Sequence, residues 1–207
     1  MITSVLAYLS HIVILIIESV QYLGIFSLMA LESANIPIPS EIIMPFSGFL
    51  AQKRELSFWL VVIVGTLGNV FGSIISYYLA VWIVRIRAKI KIVRFFISDD
   101  FLDKSKEWFN KYGSWSVFFS RILPIVRTFI SLPAGLGKMN ILKFSSLTFA
   151  GSFIWSIFLT YVGWFLGQNW QSVEKYFRQF DILIVVLILI FGFWWAKRHF
   201  TNKKINF

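Results

Sequence analysis

Four long apolar stretches alternate with polar or proline-rich segments along the chain. They cover residues 5–31, 57–84, 144–167 and 181–196. Apolar runs of about 17 to 25 residues have the length of a helix that crosses a bilayer core roughly 30 Å thick. The first is interrupted by His11, Glu18 and Gln21, so we expect it to cross with a tilt or a break. The pattern predicts an all-α membrane protein.

Two further apolar segments, residues 33–52 and 114–136, do not fit a straight helix. Proline lacks a backbone N–H and disfavours helical geometry in the residue before it. The positions expected to shape these segments are Pro37, Pro39, Pro45, Gly48, Pro124, Pro133 and Gly135. We interpret both segments as re-entrant broken-helix hairpins, which enter the membrane and return to the same side.

The charged residues predict the orientation of the chain. Residues 85–112 interleave basic and acidic side chains with Ile, Phe and Trp, a pattern typical of an amphipathic segment on a membrane surface. If this segment is cytoplasmic, two hairpins and four spans leave most of the 20 Lys and Arg side chains in the cytoplasm. This agrees with the positive-inside bias and predicts a cytoplasmic C-terminus. No cleavable signal peptide is expected.

The two halves of the chain follow one plan. Aligning the chain with itself pairs Pro37 with Pro124, Gly48 with Gly135, Phe58 with Phe144, and Gly65 with Gly151. One crossing separates the two hairpins, so the halves are opposed and the repeat is inverted. We divide the single membrane domain, 1–207, into an N-terminal helix (1–31), a first repeat (32–84), the cytoplasmic segment (85–112), a second repeat (113–167) and a last span with its basic tail (181–207).

Glycine pairs four residues apart occur in two of the predicted spans. These are Gly68 with Gly72 and Gly163 with Gly167. Small residues at this spacing let two membrane helices approach closely. We expect close helix packing at both pairs, without a separate functional role.

Composition narrows the range of functions. The chain is 57% hydrophobic and 14% charged, with a net charge of +10 and no cysteine. Disulfides and cysteine nucleophiles are therefore excluded, and the basic residues lie beside apolar spans rather than on a surface that would bind nucleic acid. The two histidines have no companions at metal-ligand spacing, and no phosphate-binding glycine loop, nucleophile elbow or metalloprotease motif appears. We expect no metal, no cofactor, no nucleic-acid partner and no enzyme activity.

Four charged residues in or directly before the broken segments are the candidate site: Glu32, Glu41, Arg121 and Arg127. A charge within the membrane costs at least about 2.5 to 3.5 kcal/mol, so such residues are candidates for function. The inverted repeat would place Glu41 near Thr128, next to Arg127. A guanidinium matches phosphate oxygens with paired donors, so the arginines are candidate phosphate ligands. Alternatively, the arginines only neutralise the glutamates.

The two glutamates are also candidates for proton coupling. Burial favours the protonated form of a carboxyl group, whereas a nearby arginine favours the ionised form. Glu32 and Glu41 are therefore expected as charge partners of the arginines, with proton coupling as a hypothesis.

The motifs of these two segments resemble the DedA family of membrane proteins, which carry the VTT or SNARE-associated domain. The first is Glu32-x-x-x-x-Pro37-x-Pro39-x-Glu41-x-x-x-Pro45-x-x-Gly48, and the second is Phe119-x-Arg121-x-x-Pro124-x-x-Arg127, followed by Pro133-Ala-Gly135, Lys138-Met139 and Phe144. The resemblance covers roughly residues 15 to 170. It implies a bacterial inner-membrane protein with two opposed re-entrant hairpins, and it implies that Glu32, Glu41, Arg121 and Arg127 are the essential positions.

The resemblance also implies a lipid substrate. Translocation of undecaprenyl phosphate for recycling in cell-envelope synthesis is the leading hypothesis. The span after the first hairpin departs from the family, since Gly68-Asn69-Val-Phe-Gly72 replaces an acidic residue and a Gly-Arg pair, which leaves the details of proton coupling open. The alternatives are a phospholipid (phosphatidylethanolamine) flippase or scramblase, a proton-coupled exporter of small ions or drugs, and a structural protein. Oligomeric state also stays open, a homo-oligomer included.

Overall fold

The computed structural model describes residues 2–36, 38–87, 107, 109, 113–123 and 126–167, and within them the regular secondary structure is helical. The helices are α1 (Ile2–Ser33), α2 (Ser40–Gln52), α3 (Phe58–Arg87), α4 (Trp115–Ile122), α5 (Val126–Phe129), α6 (Ser131–Leu136) and α7 (Ile141–Leu166). The all-α prediction is confirmed for these residues. Most of the predicted amphipathic segment 85–112, and all of the predicted last span, lie outside them.

Three of the described helices are long and apolar enough to cross a membrane: Ser10–Ser33 within α1, Phe58–Ile86 within α3, and α7. They coincide with the first three predicted spans. α1 is broken at Gln21, where φ is 46° and ψ is −119°, at one of the polar interruptions of its apolar stretch. α7 begins at Ile141 rather than 144, because the side chain of Asn140 accepts a hydrogen bond from the Lys143 N–H at 3.1 Å and caps the helix.

The faces of α3 and α7 are arranged as expected for helices surrounded by lipid. Large apolar side chains such as Phe71, Trp82 and Phe165 are exposed, between 51% and 70%. Small polar side chains face inward on both helices, each at most 3% exposed: Thr66, Asn69, Ser73, Ser76, Thr148, Ser152, Ser156 and Thr160. Their spacing of three or four residues puts each set on one helix face. The inward faces of α3 and α7 therefore carry small polar side chains, and their outward faces carry large apolar ones.

The two predicted hairpin segments contain shorter helices. α2 has 13 residues, and residues 114–136 are divided among α4, α5 and α6. Neither segment is a straight membrane-length helix, as predicted, although Pro37 and Pro124 themselves lie outside the described residues. One expectation needs correction: α2 continues through Pro45, and the backbone turns before α2, at Ala34 and Asn35, instead. The missing N–H of Pro45 leaves only one carbonyl without its helical donor, which does not end this buried helix.

Close packing at the paired glycines is confirmed. A Cβ atom at Gly68 or Gly72 would collide with a backbone carbonyl oxygen of α1, from Phe26 or Ala30. Gly163 is similarly close to the Pro45 carbonyl oxygen of α2, and Gly167 faces the Gln52 side chain. α1 therefore packs on α3, and α2 on α7, at backbone distance.

Replacing Gly163 by alanine is expected to destabilise the protein by about 1 to 3 kcal/mol, because the new methyl group meets the rigid carbonyl of Pro45. Gly65→Ala is the matched control. Its methyl group would meet the end of the flexible Met44 side chain, and it gains the helix propensity of alanine, about 1 kcal/mol. Thermal unfolding in detergent compares the two variants, and equal melting temperatures would contradict the backbone contact.

Candidate functional site: a buried arginine between two glutamates

Arg127 of α5 is the centre of a buried charge cluster. Its Nη2 donates hydrogen bonds to Oε1 of Glu32 and to the hydroxyl of Ser40, and it lies 3.1 Å from Oε1 of Glu41. The Arg127 and Glu32 side chains are 3% and 4% exposed, and that of Glu41 is 15% exposed. One guanidinium therefore joins carboxylates from two helices, and Glu41 is the more accessible of the two.

The turn between α1 and α2 positions the acidic side of the cluster. Glu32 lies in the last turn of α1, and its Oε1 also accepts a hydrogen bond from the backbone N–H of Ser40 at 3.3 Å. Glu41 lies in the first turn of α2, where the helix dipole favours negative charge. The sequence predicted that opposite charges converge, and Glu41 does meet the residue next to Thr128.

Asn35 connects this turn to the rest of the bundle. Its φ of 70° is in the left-handed region, which asparagine tolerates better than most residues. The side-chain amide donates to the Thr128 carbonyl at 2.9 Å, and its oxygen accepts from the hydroxyl of Ser76 on α3. Asn35 thereby fixes the glutamates relative to α5, a role that the sequence analysis missed.

Arg121 of α4 is 1% exposed but has different partners. Its Nη1 donates to the backbone carbonyl of Arg127 at 2.6 Å, and its Nη2 to the hydroxyls of Ser131 at 2.9 Å and Thr148 at 3.4 Å. Within the described residues, none of its hydrogen bonds goes to a carboxylate. Arg121 thus holds the broken α4–α6 segment against α7, whereas Arg127 meets the acidic groups.

The other side of Arg127 is covered by α7. The guanidinium carbon lies 5.4 Å from the centre of the Trp155 ring, which is cation–π distance. This contact, like that with Ser40, was not expected from the sequence. Tryptophan is common in membrane proteins at lipid contacts, and nothing in its spacing marks position 155. Trp155 is next to Arg127 only because α5 and α7 pack together in the fold.

The cluster joins one guanidinium to two carboxylates. Its guanidinium presents donors that match oxyanions, and these donors are occupied by carboxylates of the protein itself. An external oxyanion of similar geometry would compete for the same nitrogen atoms. Among the residues described here, no three His, Cys, Asp or Glu side chains are grouped so as to hold a metal ion.

Comparison with known proteins supports a membrane-protein family. The profile of the VTT domain matches residues 38–165. A protein of Lactococcus lactis subsp. lactis (strain IL1403) named "Alkaline phosphatase-like protein" is 32% identical over 96% of this chain and 97% of its own length. "Undecaprenyl phosphate transporter A" of Staphylococcus aureus (strain NCTC 8325 / PS 47) is 30% identical, covering 88% of this chain and 92% of that protein.

The protein of the same name in Bacillus subtilis (strain 168) is 35% identical over 74% of this chain and 80% of its own length. No solved structure matches the chain. The matched domain begins at residue 38, between α1 and α2, and ends within α7, so it contains Glu41, Arg121, Arg127 and Trp155, whereas Glu32 lies just before it.

Proposed function

The chain belongs to the VTT-domain family, also called the DedA family. We propose that this integral membrane protein is a flippase that translocates undecaprenyl phosphate. The single observation that carries the proposal is the buried Arg127, held by Glu32 and Glu41. A lipid phosphate would exchange with these carboxylates at the guanidinium. Two related proteins named undecaprenyl phosphate transporter A support this choice of lipid.

Arg127 is proposed as the direct phosphate ligand. Glu41 is the partner that leaves first, because its side chain is more exposed than that of Glu32 and lies at 3.1 Å. Arg121 adds a second positive charge and holds the Arg127 backbone. The polyprenyl tail stays in the lipid, next to the apolar outer faces of the long helices.

The glutamates are proposed to release the phosphate. When the carboxylates are ionised, they compete with the anion for Arg127, and when one is protonated the competition weakens. A change in protonation at Glu32 or Glu41 would therefore shift the site between phosphate-bound and self-neutralised states. This gives a physical route for coupling translocation to protons.

We further propose that α2 and α4–α6 belong to two re-entrant hairpins of an inverted repeat. With 13 residues, α2 is about 20 Å long, short of the roughly 30 Å bilayer core. Gly48 of α2 packs on the Thr160 carbonyl of α7, and its predicted counterpart Gly135 of α6 packs on the Tyr77 carbonyl of α3. These equivalent contacts support the repeat, and rocking of one half against the other would expose the site alternately.

The proposed location is the cytoplasmic membrane of a bacterium, with a cytoplasmic C-terminus. The three relatives described above come from bacteria, and the orientation rests on the distribution of basic residues. The molecular mass of the reconstituted protein that transports lipid would show whether one chain is sufficient for transport.

The test is reconstitution of the purified protein in phospholipid vesicles. We expect undecaprenyl phosphate to move between leaflets and to raise the melting temperature, since a ligand at 100 times its dissociation constant stabilises by about 2.7 kcal/mol. Protein-free vesicles are the control.

Competition then separates the alternatives. Excess phosphatidylethanolamine should displace the substrate only from a general phospholipid flippase or scramblase. Because one relative is named alkaline phosphatase-like, release of inorganic phosphate is measured in the same vesicles. Proton flux without lipid movement would favour an ion or drug exporter, and phosphate release would favour an enzyme; either result would contradict the proposal.

A further inference from the structure

Three buried polar atoms on α7 have no hydrogen-bond partner among the described residues. They are Nε1 of Trp155 and the side-chain oxygens of Ser156 and Thr160. The side chains of Ser156 and Thr160 are fully buried, at 0% exposure. A buried donor without a partner is unfavourable by about 1 to 3 kcal/mol, so such groups are rare in native structures. Three such atoms within six residues are available to a partner from outside the described residues.

Neighbouring hydroxyls on the same face of α7 are satisfied. Thr148 accepts from Arg121, and Ser152 donates to Oδ1 of Asn69 at 3.1 Å. On α3, Thr66 and Ser73 instead donate to carbonyls of their own helix at 2.7 Å. Ser156 and Thr160 do neither, so the missing partners are confined to one part of the polar face.

Helix contacts place these groups beside the charge cluster. Ser156, Thr160 and Gly163 have the spacing of one helix face, and Gly163 lies against Pro45 of α2. The two helices run in the same direction, since Gln52, later in α2, lies against Gly167, later in the chain than Gly163. The Thr160 carbonyl lies against Gly48 of α2, so Ser156, one turn earlier on α7, lies toward the Glu41 end of α2.

Trp155 reaches the cluster from the adjacent position. Its ring lies 5.4 Å from the guanidinium carbon of Arg127. The three donors without a partner therefore lie on α7 from the position next to Arg127 to the contact between α2 and α7. All three are neutral and all can donate, which suits an anion with several oxygens better than a cation.

We infer that the indole N–H of Trp155 and the hydroxyls of Ser156 and Thr160 donate hydrogen bonds to the phosphate group that Arg127 attracts. This inference rests on the proposed function and adds α7 to the binding site. Arg127 supplies the charge, while the neutral donors take the remaining phosphate oxygens. A phosphate monoester, with three terminal oxygens, uses this arrangement more fully than a phosphodiester, which has two.

The test uses the full-length protein with Trp155→Phe, and with the double variant Ser156→Ala/Thr160→Val. The double variant nearly keeps side-chain volume and removes only the two hydroxyl groups, whereas Trp155→Phe keeps an aromatic ring next to Arg127 but is smaller and lacks the indole N–H. Each neutral hydrogen bond contributes about 1 kcal/mol, and the double variant loses two of them, so we expect it to bind undecaprenyl phosphate roughly 30-fold more weakly. Without lipid, it should melt at or above the temperature of the wild type, because unpartnered polar groups have been removed.

Ser152→Ala is the matched control. It removes a hydroxyl from the same helix face, but one that bonds to Asn69, so the variant should melt at a lower temperature while its affinity for the lipid stays at the wild-type value. Inorganic phosphate is tested in parallel. Protection of the wild type by phosphate alone, reduced in the α7 variants, supports recognition of the phosphate group without its tail.

Unchanged affinity in both α7 variants, with a wild type that binds and moves the lipid, overturns the inference and leaves the proposed function standing. No response of the wild type to either ligand overturns both. Weaker binding in Ser152→Ala equal to that in the double variant also overturns the inference, because the effect would then follow from loss of helix packing.

Discussion

Replacing Arg127 and Glu32 together by glutamine is expected to give a folded protein whose transport of undecaprenyl phosphate falls at least about 100-fold, since hydrogen bonds to a charged group contribute about 1.5 to 3 kcal/mol each. The double variant removes one positive and one negative charge from the cluster. Glu41 and Arg121 remain, so the site keeps its overall charge balance. Leaflet movement in vesicles and thermal unfolding are measured on the same preparation.

The double variant is needed because Arg127→Ala alone leaves two carboxylates with no bonded cation. Breaking a buried ion pair in this way costs about 3 to 5 kcal/mol, and loss of transport would then be confused with loss of fold. Glutamine has the size of glutamate and is shorter than arginine, but it keeps a neutral polar group at both positions. Melting close to the wild type, with transport lost, would assign Arg127 to phosphate binding.

A control double variant, Arg54→Gln/Glu55→Gln, makes the same chemical change at exposed positions in the turn after α2. Its transport should equal that of the wild type. Arg127→Lys should be intermediate, with transport reduced about tenfold, because lysine keeps the charge but loses the planar paired donors. Full transport by the glutamine double variant would show that the cluster only holds the helices together.

Much of this site follows from where charge and proline interrupt apolar sequence. Buried charges are unfavourable in a membrane, so Glu32, Glu41 and Arg127 are expected to form ion pairs with one another or to be hydrated. Proline and glycine showed which segments could not be straight. These arguments depend on local chemistry, which a sequence displays directly, and the ion pairs between Arg127 and both glutamates agree with them.

The remaining contacts depend on tertiary placement. Ser40, Asn35 and Trp155 are ordinary residues whose partners lie on other helices, so no local pattern distinguishes them. The polar face of α7 is different, because Thr148, Ser152, Ser156 and Thr160 recur every four residues and give a readable signal. That signal was hidden by the strong hydrophobicity of the same segment, which predicts a span but not the direction in which it faces.

Arg121→Met is expected to lower the free energy of unfolding by on the order of 2 kcal/mol and to weaken transport. The variant leaves the Arg127 carbonyl and the hydroxyls of Ser131 and Thr148 without the guanidinium donor. An unsatisfied buried acceptor costs about 1 to 3 kcal/mol, which outweighs the gain from no longer burying the charge, because the cation is already surrounded by oxygen acceptors.

Arg121→Lys separates a positioning role from direct contact with phosphate. A lysine keeps the charge, but its single nitrogen cannot reproduce the geometry that joins the Arg127 carbonyl to Thr148 of α7. If Arg121 acts by holding α5, its variants should lose stability and lipid affinity together, in proportion. If Arg121→Lys instead melts like the wild type and loses affinity, Arg121 contacts the phosphate directly, and the two arginines form a bidentate site of the kind that the sequence predicts.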